Sequence, residues 1–107
     1  MINVVATISL KPGTRAEFLK IFNANVPAVL AEEGCVEYVP TVDVDSGLEA
    51  QCKDENAVVV IEKWETLSAL HAHLEAPHML EFRKNAGGDD GRGGVEGFAA
   101  GLEGRWG

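Results

Sequence analysis

The chain has 107 residues, enough for one domain that buries roughly two thirds of its unfolded surface without needing staples. Hydrophobic residues make up 46 % of it, and no apolar run approaches the roughly 20 residues that a membrane helix requires. The formal net charge is −8, and between Glu32 and Glu65 ten acidic residues face only two lysines, Lys53 and Lys63. Such a surface repels nucleic-acid phosphates and anionic membranes and keeps a protein soluble.

Met1 to Leu10 has neither a basic lead-in nor a small-residue cleavage site, so it reads as a strand rather than a signal peptide. The expected compartment is therefore the cytoplasm, with Cys35 and Cys52 as free thiols. Asn3 to Leu10 is rich in β-branched residues, giving a first strand with both faces largely apolar. Lys11-Pro12-Gly13 turns the chain, and Thr14 with Glu17 predicts a capping box. Phe18, Phe22, Val26, Val29 and Leu30 share a helical face, with Leu19 beside them. Pro27 lacks the N–H that would bond back to Asn23, which predicts a kink or restart. Gly34 is the expected C-terminal cap of this helix.

Cys35 to Val44 alternates as a second strand, and Pro40 inside it predicts an edge position or a bulge. The polar stretch from Asp45 to Asn56 makes the long tip of a hairpin with a third strand, Ala57 to Trp64. On that strand Val58, Val60, Glu62 and Trp64 share one face, while Ala57, Val59, Ile61 and Lys63 share the other. Helices of a single protomer cover one sheet face only, so an apolar second face predicts a second copy of the chain.

Thr66 is the expected N-cap of a helix carrying Leu67, Leu70 and Leu74, and Pro77 suits the first position of another. Nine of the twelve glycines lie in the last 21 residues. Residues 87–94 form a Gly-rich loop by composition, and part of Gly97 to Trp106 makes a fourth strand. The whole is one domain over 1–107, with a core over 1–86 and a C-terminal strand or tail over 95–107. The element order is β-α-β-β-α-β, an α+β ferredoxin-like fold with an antiparallel sheet covered on one face.

The candidate chemistry gathers between Val58 and Phe82, where a strand ending on Trp64 hands over to helices carrying His71, His73 and His78. Trp64 reads as a core aromatic that can also present an edge to a ligand. His73 lies at the border of the leucine stripe, as a structural histidine or as a base. His78 sits in the first turn of its helix, for capping and packing or as a hydrogen-bond partner. Glu62 is expected to be partly buried, in a salt bridge or as a proton acceptor. Phe18 and Phe22 are core by periodicity and either can line a cavity, and Tyr38 and Cys35 lie on the second strand. His71-x-His73 diverges on a helix and no H-E-x-x-H pattern is present, so no metal site is expected.

Glu33-Gly34-Cys35 with Tyr38 resembles the E-x-G-C-x-x-Y start of the second strand in antibiotic biosynthesis monooxygenase domains. Glu62-x-Trp64, Ala69-Leu70-x-x-His73, Pro77-His78 and Phe82 resemble the second block of that family, and the likeness covers roughly residues 1–86. The resemblance implies a dimeric α/β barrel with a small apolar pocket in each protomer. It implies oxidation of electron-rich hydroxylated aromatics, of quinol or polyphenol type, with O2 and no metal, flavin or other cofactor. The implied catalytic residues are His73, Trp64 and His78, with Tyr38, Phe22, Phe82 and Glu62 around the substrate. A deprotonated hydroquinone can itself give an electron to O2, so the protein need only take a proton, hold a flat ring and exclude water. An imidazole, titrating near neutrality, suits the first task. Two family positions differ: Ala6 stands where haem-degrading members carry Asn on the first strand, and Val60 where some quinol-type members carry Asn on the third. A non-catalytic small-molecule-binding dimer on the same scaffold is the alternative, and a haem-degrading enzyme a more distant one.

Overall fold

The computed structural model describes residues 1–86 and the backbone of 99–106. In chain order the elements are β1 (Ile2–Leu10), α1 (Arg15–Leu30), β2 (Cys35–Thr41), β3 (Ala57–Trp64), α2 (Leu67–Glu75), α3 (Pro77–Asn85) and β4 (Ala99–Trp106). The strands form one four-stranded antiparallel sheet in the order β2-β3-β1-β4. This is the expected ferredoxin-like arrangement. The Gly-rich segment 87–94 lies outside the described residues.

The two central strands are the most β-branched ones, and their alternation divides the sheet into two faces. Val4, Tyr38, Val58, Val60, Glu62 and Trp64 are buried on the face under the helices. The register sets Val4 opposite Glu62, and Glu62 opposite Tyr38, in one row across three strands. On the other face Val5 and Val39 flank Ile61 in the same manner, yet both are exposed, at 39 % and 43 %. The described helices leave this second apolar face uncovered.

Local chemistry accounts for the helix ends, with corrections to the expectations. Thr66 caps α2 by accepting from the Ala69 N–H at 3.1 Å. Pro77 opens α3 after Ala76 adopts an extended conformation, which breaks the helical run. The capping box at Thr14 does not form, because the Thr14 hydroxyl donates back to the Lys11 carbonyl at 2.6 Å instead. Helix α1 runs through Pro27 without a restart and ends at Leu30. Gly34 is therefore not its cap. Gly34 has a φ of +82°, and a methyl added there would sit 2.6 Å from Ala69 Cβ. It is glycine because the chain turns in the left-handed region directly beneath α2. Strand β2 is an edge strand, as Pro40 predicted, but it ends at Thr41 rather than Val44, and its irregularity lies between Cys35 and Glu37. Leu30, Leu67 and Leu74 are exposed although each falls in an apolar stripe.

Candidate active site

A cavity of about 310 Å³ lies between the sheet and the helices. Its sheet side is Val4, Ala6, Ile8, Tyr38, Val60 and Glu62, and its helical side includes Phe22, Leu70, His73, Met79 and Phe82, with Arg83 contributing as well. Most of the lining is apolar, with a few polar groups aimed inward, as small-molecule sites generally are. The aromatic wall is mutually braced. Phe22 stacks on Tyr38 with centroids 5.3 Å apart and 7° between planes, and Phe82 meets Phe22 edge-on at 5.6 Å.

His73 is buried, with only 2 % of its side chain exposed. Its ring lies 4.6 Å from the Trp64 indole and 5.5 Å from Tyr38, which it meets edge-on. Its Nδ1 is 2.8 Å from Glu32 Oε2. A carboxylate oxygen accepts, so the Nδ1–H of His73 donates to it. Among the described residues Nε2 has no hydrogen-bond partner, and His73 lines the cavity.

The same Glu32 oxygen accepts a second hydrogen bond, 2.7 Å long, from His78 Nε2. Glu32 was not among the expected site residues. It belongs to no strand or helix, and lies in the turn joining α1 to β2. The signal that could have found it was the E-x-G-C spacing itself, which falls on Glu32-Glu33-Gly34-Cys35 rather than on Glu33.

Trp64 is fully buried and does not line the cavity; its Nε1–H donates to Glu62 Oε1 at 3.0 Å. Glu62 thus stands in no salt bridge among the described residues. Burial pushes the Glu62 carboxyl above its usual range, opposed by the Trp64 N–H and by nearby His73. Burial likewise raises the Tyr38 phenol, with Glu62 and Glu32 adding to the effect, so its hydroxyl keeps its proton. The Cys35 thiol is also raised, by burial and then by Glu32 and Glu62.

Of the expected residues, His73, Tyr38, Glu62, Phe22 and Phe82 therefore meet at one cavity. Trp64 stands behind His73. His78 stands outside the cavity, on a groove between α1 and α3 that Asn25, Glu81 and Asn85 also line. His71 is exposed. Cys35 and Cys52 are unpaired. Among the described residues no helix is long and apolar enough to cross a membrane, and no group of three or more His, Cys, Asp or Glu is placed to hold a metal ion.

The sequence profile of the family described as "Antibiotic biosynthesis monooxygenase" matches residues 1–85. The chain is 41 % identical over 91 residues to "Probable quinol monooxygenase YgiN" of Escherichia coli K12, an alignment covering 83 % of this chain and 88 % of that one. Among solved structures it superposes on PA3566 from Pseudomonas aeruginosa with a TM-score of 0.74 at 22 % identity, covering 98 % of this chain and 89 % of that one. Rv0793 from Mycobacterium tuberculosis gives a TM-score of 0.70 at 21 % identity over 98 % and 90 %. These two likenesses concern the fold. Profile match and sequence identity together establish that the chain belongs to the antibiotic biosynthesis monooxygenase family.

Proposed function

We propose that this protein is a cofactor-independent monooxygenase that oxidises a small hydroxylated aromatic, of quinol or polyphenol type, with O2, and that it works as a homodimer. The observation that carries the reading is His73, held through Nδ1 by Glu32 and with no partner on Nε2 among the described residues, in the lining of a mostly apolar cavity walled by aromatic rings. The name of the YgiN relative, 41 % identical, supports the same substrate class.

The chemistry asks little else of the chain. His73 Nε2 takes a phenolic proton from the ring held against Phe22, Tyr38 and Phe82. The resulting phenolate gives one electron to O2, and the semiquinone and superoxide join through a new ring C–O bond. The O–O bond of that peroxide then breaks as the ring carbon gives up its proton and its oxygen becomes a carbonyl, and the departing oxygen leaves as water with that proton and the one His73 returns. A dihydroxyarene plus O2 becomes a hydroxyquinone plus water; the substrate supplies both electrons that reduce the second oxygen atom. The apolar lining keeps water from the radical pair. Tyr38, which retains its proton, can donate to a substrate oxygen.

The homodimer reading rests on the uncovered row of Val5, Ile61 and Val39. An exposed apolar sheet face is most simply covered by its own copy across a two-fold axis.

A second reading, a non-catalytic binding dimer, is favoured by one observation. Ala6 and Val60, at the positions where some family members carry Asn, both line the cavity and offer no hydrogen bond. Oxygen uptake over a panel of hydroquinones separates the two. The monooxygenase reading predicts uptake by the unmodified protein that a His73→Ala, Trp64→Ala double variant lacks. Equal rates for the two would overturn it, and binding of an aromatic ligand without uptake would establish the binding protein.

A further inference from the structure

We infer that Glu32 and His78 form a positioning device for His73, in which the Glu32 carboxylate holds the proton of His73 on Nδ1 and His78 fixes that carboxylate from the surface side. The inference rests on the reading of His73 as the cavity base.

Three separate segments converge on one oxygen atom. Glu32 comes from the α1–β2 turn, where its N–H donates to the Val29 carbonyl at 3.0 Å and its carbonyl accepts from Cys35 N–H at 3.2 Å. Gly34 lets that turn pass beneath α2. His73 comes from α2, and His78 from α3, which the extended Ala76 re-aims. Both rings lie within 2.8 Å of Glu32 Oε2. Exposure rises along the line from 2 % at His73, through 12 % at Glu32, to 29 % at His78. The carboxylate is thus held between a buried ring and a surface ring.

The consequence for His73 is a matter of tautomer. A neutral imidazole carries its one proton on either nitrogen. An acceptor at Nδ1 selects the form with Nε2 bare, which is the form able to take a proton from a bound phenol. Losing an orienting carboxylate of this kind leaves the ring present but in the wrong tautomer. Among the described residues the charged or titratable groups near the device include Glu62, Tyr38 and Cys35 on the sheet, Glu65 beside Gly34, and Arg83 on α3. Arg83 donates to the Leu74 carbonyl at 2.8 Å, and Glu62 is bonded to Trp64, so neither is seen competing for Glu32. His78 adds a second donor at the shared oxygen, which keeps the carboxylate from turning into solvent.

The test is 15N-histidine NMR of the full chain, with oxygen uptake from 1,4-dihydroxynaphthalene as a second readout. The unmodified protein should show His73 with its proton on Nδ1 and a bare Nε2; a proton on Nε2 overturns the inference at once. Glu32→Leu should shift His73 toward the other tautomer and lower the maximal rate by about a hundredfold with little change in half-saturating substrate. His78→Phe, which removes the second donor to Glu32, should lose part of the tautomer bias, and His78→Gln, which still carries a donor, should lose less of it. A purely structural role would lower stability in these variants without moving the tautomer, and that result also overturns the inference. If the unmodified protein takes up no oxygen, the catalytic reading fails, while the NMR arm still decides the positioning.

Discussion

Glu32 and His73, 41 positions apart in the chain, meet through a 2.8 Å hydrogen bond beneath helix α2. The backbone that carries Glu32 is fitted closely at this point. The turn carrying Glu32 fits under the helix only because Gly34 has no Cβ, and the Glu65 N–H pins the Gly34 carbonyl at 2.8 Å. Turn, strand β3 and helix α2 are locked together beside the cavity that His73 lines.

Gly34→Ala should therefore be costly. A left-handed alanine alone costs about 1–2 kcal/mol. Its methyl would also meet Ala69 Cβ at 2.6 Å, which no flexible side chain can yield to. Urea unfolding should show a loss beyond the backbone figure. A Gly34→Ala, Ala69→Gly pair should recover the steric part only.

Trp64→Phe should destabilise the chain by about 1–3 kcal/mol, chiefly by leaving the buried Glu62 carboxyl without the indole N–H that it accepts at 3.0 Å. Adding Glu62→Leu to Trp64→Phe should restore some of the loss, since removing both polar partners costs less than orphaning one. Denaturant midpoints of the two single variants and the pair measure this directly.

The raised Glu62 carboxyl gives stability a defined pH dependence. Because its folded pKa lies above its unfolded value, the folded state binds more protons between the two, and stability falls as pH rises across that window. The contribution is fully present below the unfolded carboxylate range and is lost once pH passes the folded value. Glu62→Gln removes this titration. The difference in stability between Glu62→Gln and the unmodified chain should therefore shift in favour of the variant on going from pH 4 to pH 8, as read from unfolding midpoints.

Val39 is 43 % exposed in the protomer, so Val39→Asp should cost the protomer little. On the homodimer reading it places a charge in the shared sheet face. Sedimentation should show the unmodified protein at twice the chain mass and the variant at the chain mass. A monomeric unmodified protein would end the homodimer reading.

The layout of the fold was legible because it rests on local patterns. The period-two run Ala57–Trp64 appears as β3 with the expected boundaries, and Thr66 and Pro77 open their helices as their side-chain chemistry requires. Patterns that competing local bonds can override were less secure. Thr14 has the composition of a capping box, but its hydroxyl found the Lys11 carbonyl first. Leu67 and Leu74 have helical spacing, yet α2 is short and its contact with the sheet is made through Leu70 and His73. The cavity residues on regular elements, such as Tyr38, Glu62 and His73, could be read from the faces they occupy. Glu32 could not, because a turn residue has no periodicity and its contacts are made 41 and 46 positions away.

The central claim is that His73 is the proton acceptor of an oxygen-consuming reaction in this cavity. It is tested most directly by oxygen uptake of His73→Gln with 1,4-dihydroxynaphthalene, separating maximal rate from half-saturating concentration. Loss of a positioned base predicts a maximal rate lower by about 10²–10⁴-fold, with half-saturation nearly unchanged because the aromatic wall is intact. A maximal rate equal to that of the unmodified protein would contradict the account.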